Sequence, residues 1–477
     1  MRDRAAGSDM STDFANSNVA VVGLGRSGLA CAEVLTELGA DVRIYDSKPA
    51  DQIASGIEAA STIGVDVHAG DEPIDLGWVD IVVTSPGVPK ASKQLLHAVA
   101  AGVPVIGEIE AAYRIANAPI VAITGTNGKT TTTVLVGEIL RAAGRTAYVG
   151  GNIAAGDIAL PLIKAAQLVN ASVPGPDSSP SRFGRGGEVR AGVGSGPIIV
   201  AEISSFQLEW IDRFRPKVGA ILNITPDHGD RQTWDEYVAA KWRMFENQEP
   251  GDLAVMNDDL ADDPRAKSIR STITRFGPSE AVDIVESVLP IAEVKLPGRH
   301  NIDNLAAAIV MARAFDIGDD AIRKVAREFG GVVHRLETVA TIDGVRYVNN
   351  SMCTNTDAFA KSLAALPEPK VVIMGGVFKG DDASALASSA IDNEVRGVVL
   401  IGKSAPMLRD AFSAAGYTNT TVVDSLEAAV ERATALSTPG DTVMLAPACA
   451  SFDMFRDFED RGDRFKQAVR LLGAQGQ

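Results

Sequence analysis

The stretch Gly125-Thr126-Asn127-Gly128-Lys129-Thr130-Thr131 follows, after Thr124, on the apolar run Pro119-Ile-Val-Ala-Ile123. A strand that feeds a glycine-bracketed loop and then a helix offers backbone N–H groups and a helix N-terminus, which together suit phosphate. Lys129 adds a point charge for terminal phosphates, and the Thr130 hydroxyl can ligate Mg²⁺. The longer form of such a loop places a glycine five residues before the glycine that precedes the lysine. This chain has Ile123 there.

Two further apolar runs end in polar residues. The run 197–204 carries Glu202, followed by Ser204-Ser205-Phe206-Gln207, and the run 218–225 leads into Asn223-Ile-Thr-Pro-Asp227-His228. Ligands of an open parallel sheet sit beyond the carboxyl ends of its strands. The three strand ends are therefore expected to converge, with Glu202 and His228 as metal ligands. Taken singly, Glu202 reads as a solvated strand end and His228 as a loop histidine; their convergence favours a site. In "TWDEYVAAKWRMFEN", Trp234, Tyr237, Lys241 and Met244 fall on one helical face. Lys241 in that stripe reads either as a snorkelling side chain or as a buried amine. Burial favours the neutral, nucleophilic form, which can take up CO₂ as a carbamate.

A second glycine motif, Gly23-Leu-Gly25-Arg26-Ser27-Gly28, opens a helix after an apolar strand, and Asp46 ends the next strand. That spacing fits a nucleotide-binding turn, most simply for a dinucleotide, or a bare tight turn.

These residues sit in a repeating strand–helix pattern. Apolar strands are expected at 18–23, 41–46, 79–85 and 103–108, then from 120 with 197–204, 218–225 and 252–257, then at 345–350, 370–376, 397–402 and 442–448. Continuous apolar strands between helices mean mostly parallel sheets covered on both faces. The fold class is α/β, with a disordered leader over 1–17 and domains over 18–107, 108–331 and 332–477. The stretch 171–196 is dominated by Gly, Pro and Ser, and reads as a flexible insertion.

The bulk composition narrows the partners. A net charge of −16 argues against nucleic acid. A loop of N–H groups still binds small anions inside an acidic protein. Apolar residues make up 46% of the chain, and none of its apolar runs is long enough for a bilayer span. The three cysteines are far apart and odd in number, which suggests neither a disulfide framework nor a zinc site and fits the cytoplasm.

Eight motifs in order carry a resemblance: "GTNGKTTT", "GGNI", "EISSFQLE", "LNITPDH", "YVAAKWRMFEN", "GRHNIDN", "VVHRLE" and "APACASFDMFRDFEDRG". Together they resemble the Mur ligase family, from about residue 18 to the end. The family's short loop makes Ile123 no defect. The resemblance implies Rossmann-like outer domains around a P-loop ATPase-like central domain. It implies ATP-dependent addition of glutamate to UDP-N-acetylmuramoyl-L-alanine through an acyl phosphate, in peptidoglycan precursor synthesis, by a cytoplasmic enzyme expected to be a monomer. ATP would meet Gly125–Thr131 together with Asn301, Asn304, Arg335 and Asn350. Two Mg²⁺ ions would meet Thr130, Glu202, His228 and Lys241, the last as a carbamate. The UDP-sugar would meet Gly25, Arg26, Ser27, Asp46, Ser47, Gly87 and Asn152. Glutamate would meet Thr354, Lys379, Ser451 and Phe458. Within the family the start of the last domain reads "N-D-S-K-A-T-N", the aspartate reaching the ATP ribose and the lysine lying beside the reacting groups. Here it reads Asn349-Asn350-Ser351-Met352-Cys353-Thr354-Asn355. Asn350 keeps hydrogen-bonding capacity without charge. Met352 removes a cation, so L-glutamate stands as an alternative to D, and Met352→Lys is expected to shift the preference towards D. A folylpolyglutamate-synthetase-like ligase and a non-catalytic nucleotide-binding regulator are the other readings.

Overall fold

A computed structural model of the chain describes residues 14–153, 160–172, 196–225, 232–278, 280–296, 298–354, 356–366, 368–378 and 383–475. His228, Lys379 and nearly all of the insertion expected over 171–196 lie outside these residues. The chain divides after Phe329 into two compact units.

The first unit holds two sheets. One contains β1 (Asn18–Val22), β2 (Asp41–Asp46), β3 (Asp66–Ala69), β4 (Ile81–Thr84) and β5 (Val105–Gly107), in the order β3-β2-β1-β4-β5. The other contains β6 (Ile120–Thr124), β7 (Ala147–Gly151), β8 (Ile198–Glu202), β9 (Val218–Ile221), β10 (Leu253–Met256) and β11 (Thr272–Arg275), in the order β11-β10-β9-β6-β8-β7. Every pairing in both is parallel. The central strands β6, β8 and β9 are buried at every residue, as expected where helices cover both faces.

One apolar cluster runs through both sheets of this unit. It takes in Cys31, Val34 and Leu35 of the helix Arg26–Glu37, Ile109 and Ala112 of the helix Glu108–Ile115, and Leu162, Ala166 and Val169 of the helix Leu162–Ser172. The shared core corrects the expected leader at its inner end. Phe14 is 1% exposed within this cluster, and the Asn16 N–H donates to Gly39 O at 3.0 Å. An aromatic ring at the edge of a core is worth burying even when the chain before it is polar. Residues 171 and 172 likewise finish a helix rather than begin an insertion.

The second unit has one sheet of β12 (Glu337–Ile342), β13 (Val345–Asn349), β14 (Lys370–Gly375), β15 (Val395–Ile401), β16 (Thr420–Val422) and β17 (Thr442–Leu445). Its order is β12-β13-β17-β14-β15-β16, with β12 antiparallel to β13 and the other pairings parallel. The β12–β13 hairpin turns on Asp343-Gly344, both left-handed, as a two-residue hairpin turn requires. β13, β14 and β17 lie side by side, so the segments after Asn349, Gly375 and Leu445 emerge at one end of the sheet.

Candidate functional site

β6 ends at Thr124, and Ile123 is a fully buried core residue. The loop therefore begins after it, at Gly125. Gly128 is left-handed (φ +81°), and a Cβ there would stand 2.3 Å from Asn304 Oδ1. That contact brings the helix Arg299–Arg313 against the loop. Asn304 Oδ1 also accepts from the Thr132 hydroxyl at 3.3 Å, while its Nδ2 donates to Asn301 Oδ1 at 3.0 Å. The residues after β9 stitch the loop from the other side. The Asn127 N–H donates to Asn223 Oδ1 (2.8 Å), and the Thr126 hydroxyl lies 2.8 Å from the Tyr237 hydroxyl.

The charged groups meet at this corner. Lys129 Nζ curls back to donate to Gly125 O and Thr126 O, both at 2.9 Å. The Thr130 hydroxyl donates to Glu202 Oε2 at 2.7 Å, and Asn152 Nδ2 reaches Glu202 Oε1 at 3.4 Å. Lys241, in the last turn of the helix Trp234–Trp242, is 2% exposed. Its Nζ donates to Gly125 O (3.0 Å) and Thr124 Oγ1 (3.3 Å) and stands 4.5 Å from the Tyr237 ring centre. Lys241 is thus a buried amine and not a snorkelling side chain. Trp234 departs from the expected stripe: it is 49% exposed, because it opens the helix and leans against Tyr237. The structure brings together Gly125–Thr131, Asn152, Glu202, Lys241, Asn301 and Asn304.

The first glycine turn lies elsewhere in this unit. Gly25 caps the helix Arg26–Glu37, and Arg26 and Ser47 are exposed. Asp46 is turned into its own neighbourhood, where Oδ2 accepts from the Leu24 N–H (2.7 Å) and Oδ1 from the Lys48 N–H (2.9 Å). Gly87 is exposed next to a cleft of about 620 Å³ whose lining includes Ser85, Pro86, Glu108, Phe206, Gln207 and Trp210. Glu108 is buried, and burial pushes its carboxyl up to about 7. The Ile163 N–H donates to it at 2.9 Å.

In the second unit, Ser351 is a hub after β13. Its hydroxyl donates to Phe458 O (2.6 Å) and accepts from Arg461 Nε (2.9 Å). Arg461 has no exposed surface, and it also donates to Ser351 O (2.9 Å) and Cys449 O (3.1 Å). Burial lowers this guanidinium to about 10, which leaves it charged at neutral pH. Ser451 is buried, and Thr354 and Phe458 are half-buried. Arg335 is exposed between two left-handed residues, His334 and Leu336. The His334 ring lies so close to Gly462 that a Cβ there would stand 2.2 Å from Nδ1. Burial, and then Lys466, hold this imidazole below its ordinary value against the pull of Glu337, Asp463 and Asp457. The Asn350 amide is buried and bonded within the unit.

Sequence reasoning singled out neither Arg461 nor His334. Both lie in motifs quoted above, but an arginine in a charged helix carries no mark of burial.

Comparison with known proteins accounts for almost the whole chain. The profile described as Mur ligase MurD-like, N-terminal domain, matches residues 17–107. Mur ligase middle domain matches 123–312, and Mur ligase, glutamate ligase domain, matches 334–449. The UDP-N-acetylmuramoylalanine–D-glutamate ligase of Pelotomaculum thermopropionicum is 42% identical over 485 residues, 97% of this chain and 99% of that protein. The proteins of that name from Caldanaerobacter subterraneus and Koribacter versatilis are 39% and 38% identical, over 96% and 97% of this chain and 99% of each relative. Among the described residues, no helix is long and apolar enough to cross a membrane.

Proposed function

The chain belongs to the Mur ligase family, and from that premise we propose that it joins D-glutamate to UDP-N-acetylmuramoyl-L-alanine at the expense of ATP, in peptidoglycan precursor synthesis. The observation that carries this reading is the convergence of the β6 loop, the β8 end and the helix Trp234–Trp242 on Lys129, Thr130, Glu202 and Lys241, with Asn223 after β9 bonded to the same loop. A carboxylate is a poor acyl donor because its carbon is shielded by delocalised charge. An oxygen of the L-alanyl carboxylate attacks the γ-phosphorus of ATP, the bond to ADP breaks, and an acyl phosphate forms. The glutamate amine then attacks the acyl carbon, loses its proton, and phosphate leaves.

Lys129 faces the γ-phosphate by exchanging its two loop carbonyls for phosphate oxygens, and so neutralises charge where it develops. The loop N–H groups and the helix N-terminus cradle the chain of phosphates. Asn301 and Asn304 hold the adenine, Asp46 and Ser47 the uracil, and Gly25, Arg26, Ser27, Gly87 and Asn152 the rest of the UDP-sugar. Arg335 serves ATP. Thr354, Lys379, Ser451 and Phe458 seat the glutamate.

The residues present suit Mg²⁺. Glu202 is a buried carboxylate whose side-chain partners among the described residues, Thr130 and Asn152, are both neutral. Carboxylate and hydroxyl are the hard oxygen donors that this cation takes, and a buried carboxylate is normally paired with a cation. Thr130, Glu202 and His228 would hold it, with Lys241 contributing as a carbamate. Bound Mg²⁺ supplies charge neutralisation at the phosphates.

Phosphate release from the purified chain should require ATP, UDP-N-acetylmuramoyl-L-alanine and D-glutamate together; release that ignores the UDP-sugar overturns the assignment. Lys241→Ala should lose most activity and regain part of it with bicarbonate or short carboxylates. A fully active alanine variant would remove the carbamate from the account.

A further inference from the structure

The Asn350 side chain is 3% exposed, and both ends of its amide are committed. Oδ1 accepts from the Leu336 N–H at 3.1 Å, and Nδ2 donates to Ser362 Oγ at 2.7 Å. The Ser362 hydroxyl itself donates to Ala358 O at 2.5 Å. Its oxygen is therefore an acceptor towards residue 350. An asparagine supplies the donor that this oxygen needs, and an ionised aspartate cannot. Asn350 and Ser362 are matched to each other.

The group that Asn350 holds on its other side is a strained turn. His334 and Leu336 have φ of 61° and 46°, left-handed in two non-glycine residues that flank Arg335. Such conformations persist where the surroundings over-determine them. Here the end of β13 and the residues after it do so. Asn349 Nδ2 lies 2.9 Å from His334 Nδ1 and 3.0 Å from Glu337 Oε2, and the Met352 N–H donates to His334 O at 3.2 Å. Glu337 Oε2 also accepts from the His334 N–H at 3.0 Å. Asn350 closes this set at Leu336.

We propose that Asn350 is a positioning residue, which clamps the turn His334-Arg335-Leu336 onto Ser362 and so aims Arg335, and that it does not bind the nucleotide ribose. The proposal rests on the ligase reading above for what Arg335 serves. It departs from the ribose contact that the family resemblance implied for this position.

The test compares Asn350→Ala, Ser362→Ala and the double variant with the unaltered chain, using ATP, 2′-deoxy-ATP and 3′-deoxy-ATP. A clamp predicts that both single variants lower kcat by about ten- to a hundredfold, because a misplaced arginine affects turnover. The double variant should be scarcely worse than either single one. The ratio of kcat/KM between ATP and the deoxy nucleotides should stay the same in all of them. A ribose ligand predicts the reverse: Asn350→Ala alone lowers activity, it erases the discrimination against one deoxy nucleotide, and Ser362→Ala is silent. That outcome overturns the proposal. Hydrogen exchange at the Leu336 N–H gives a readout that needs no activity. Exchange should be slow in the unaltered chain and faster in both single variants by more than their loss of global stability accounts for. If the chain lacks ligase activity but this exchange pattern holds, the functional reading fails and the clamp stands; unaltered exchange in Asn350→Ala removes the clamp.

Discussion

The loop 125–129 in the first unit and the segment 349–352 at the end of β13 in the second, with the turn 334–336 that it holds, are both built largely from polar residues at strand ends, yet they treat those residues differently. Lys129 and Lys241 rest on backbone carbonyls of the loop, Gly125 O among them. Phosphate oxygens can take the place of such partners at little cost, because a carbonyl bond to a charged group is exchanged for a stronger charge-assisted one. In the second unit Asn349, Asn350, Ser351 and Arg461 are buried and bonded to neighbouring side chains and backbone of the same unit. A ligand has no cheap exchange to offer there. The contrast separates groups that meet substrate from groups that give a surface its shape. It predicts that substitutions in the first region change turnover at constant stability, and that substitutions in the second change stability together with turnover.

The largest effect is expected at Lys129. Lys129→Met keeps much of the side chain's length and removes the charge. It should lower kcat by about a hundred- to a thousandfold, the scale of a lost transition-state donor, with a melting temperature close to that of the unaltered chain. A large fall in melting temperature would erase the distinction between the two regions.

Arg461→Met tests the other side. It removes one buried cation and leaves Ser351 Oγ, Ser351 O and Cys449 O without their donors. Charge-assisted hydrogen bonds are each worth about 1.5–3 kcal/mol, offset here by relief of the desolvation cost, so a net loss of roughly 3 kcal/mol is expected. Urea unfolding followed by a probe in the second unit measures it. A variant of unchanged stability and lowered turnover would place Arg461 with the substrate-facing groups.

The same contrast explains what could be read from the chain beforehand. The glycine loop, Glu202 and Lys241 announced themselves, because a charged residue at the end of an apolar strand, or within an apolar helical stripe, is conspicuous. The commitments of Asn350 and Arg461 were not legible, because whether an amide faces a ligand or a neighbouring serine depends on contacts across 12 residues or, for Arg461 and Ser351, 110. Strands divide in a similar way. The expected strands include every internal one, but five edge strands, β3, β7, β11, β12 and β16, are missing from the expectation. Continuous apolar runs mark strands buried on both faces, whereas β3, β11, β12 and β16 are mostly half-buried or exposed. For β12 a signal was present: Asp343-Gly344 between two β-rich stretches is a hairpin turn.

Glu108 offers a smaller and pH-selective test. Its folded value is raised from 4.5 to about 7 by burial. The folded state therefore holds its proton more tightly than the unfolded chain does. The stability tied to that proton is fully present below about pH 4.5 and is lost as pH rises through about 7, a change of roughly 3 kcal/mol. Glu108→Gln lacks this titration. It should be less stable than the unaltered chain near pH 5 relative to its standing at pH 8, where the gap closes or reverses. Parallel urea titrations across that range measure it, and curves that stay parallel would remove Glu108 as the source of the slope.

The smallest effect is expected at Met352. The family resemblance implied a lysine at this position beside the reacting groups, and Met352 in its place left L-glutamate open as the acceptor. Two features of the second unit reduce what the side chain decides. The part of residue 352 that holds the turn is its N–H, bonded to His334 O, and any residue supplies that. Beneath the same turn, Arg461 keeps a buried positive charge one residue away, on Ser351, whichever side chain stands at 352. A carboxylate arriving at this face meets a positive potential in either case, strengthened by the low dielectric around the guanidinium. Met352→Lys should therefore change kcat/KM for D-glutamate by about threefold or less, a free-energy change below about 1 kcal/mol, and should leave the preference for D over L in place. Parallel assays with pure enantiomers decide it. A pronounced gain in D-selectivity on restoring the lysine would show that the side chain at 352 selects the enantiomer, and would move this residue from the shape-giving region to the substrate-facing one.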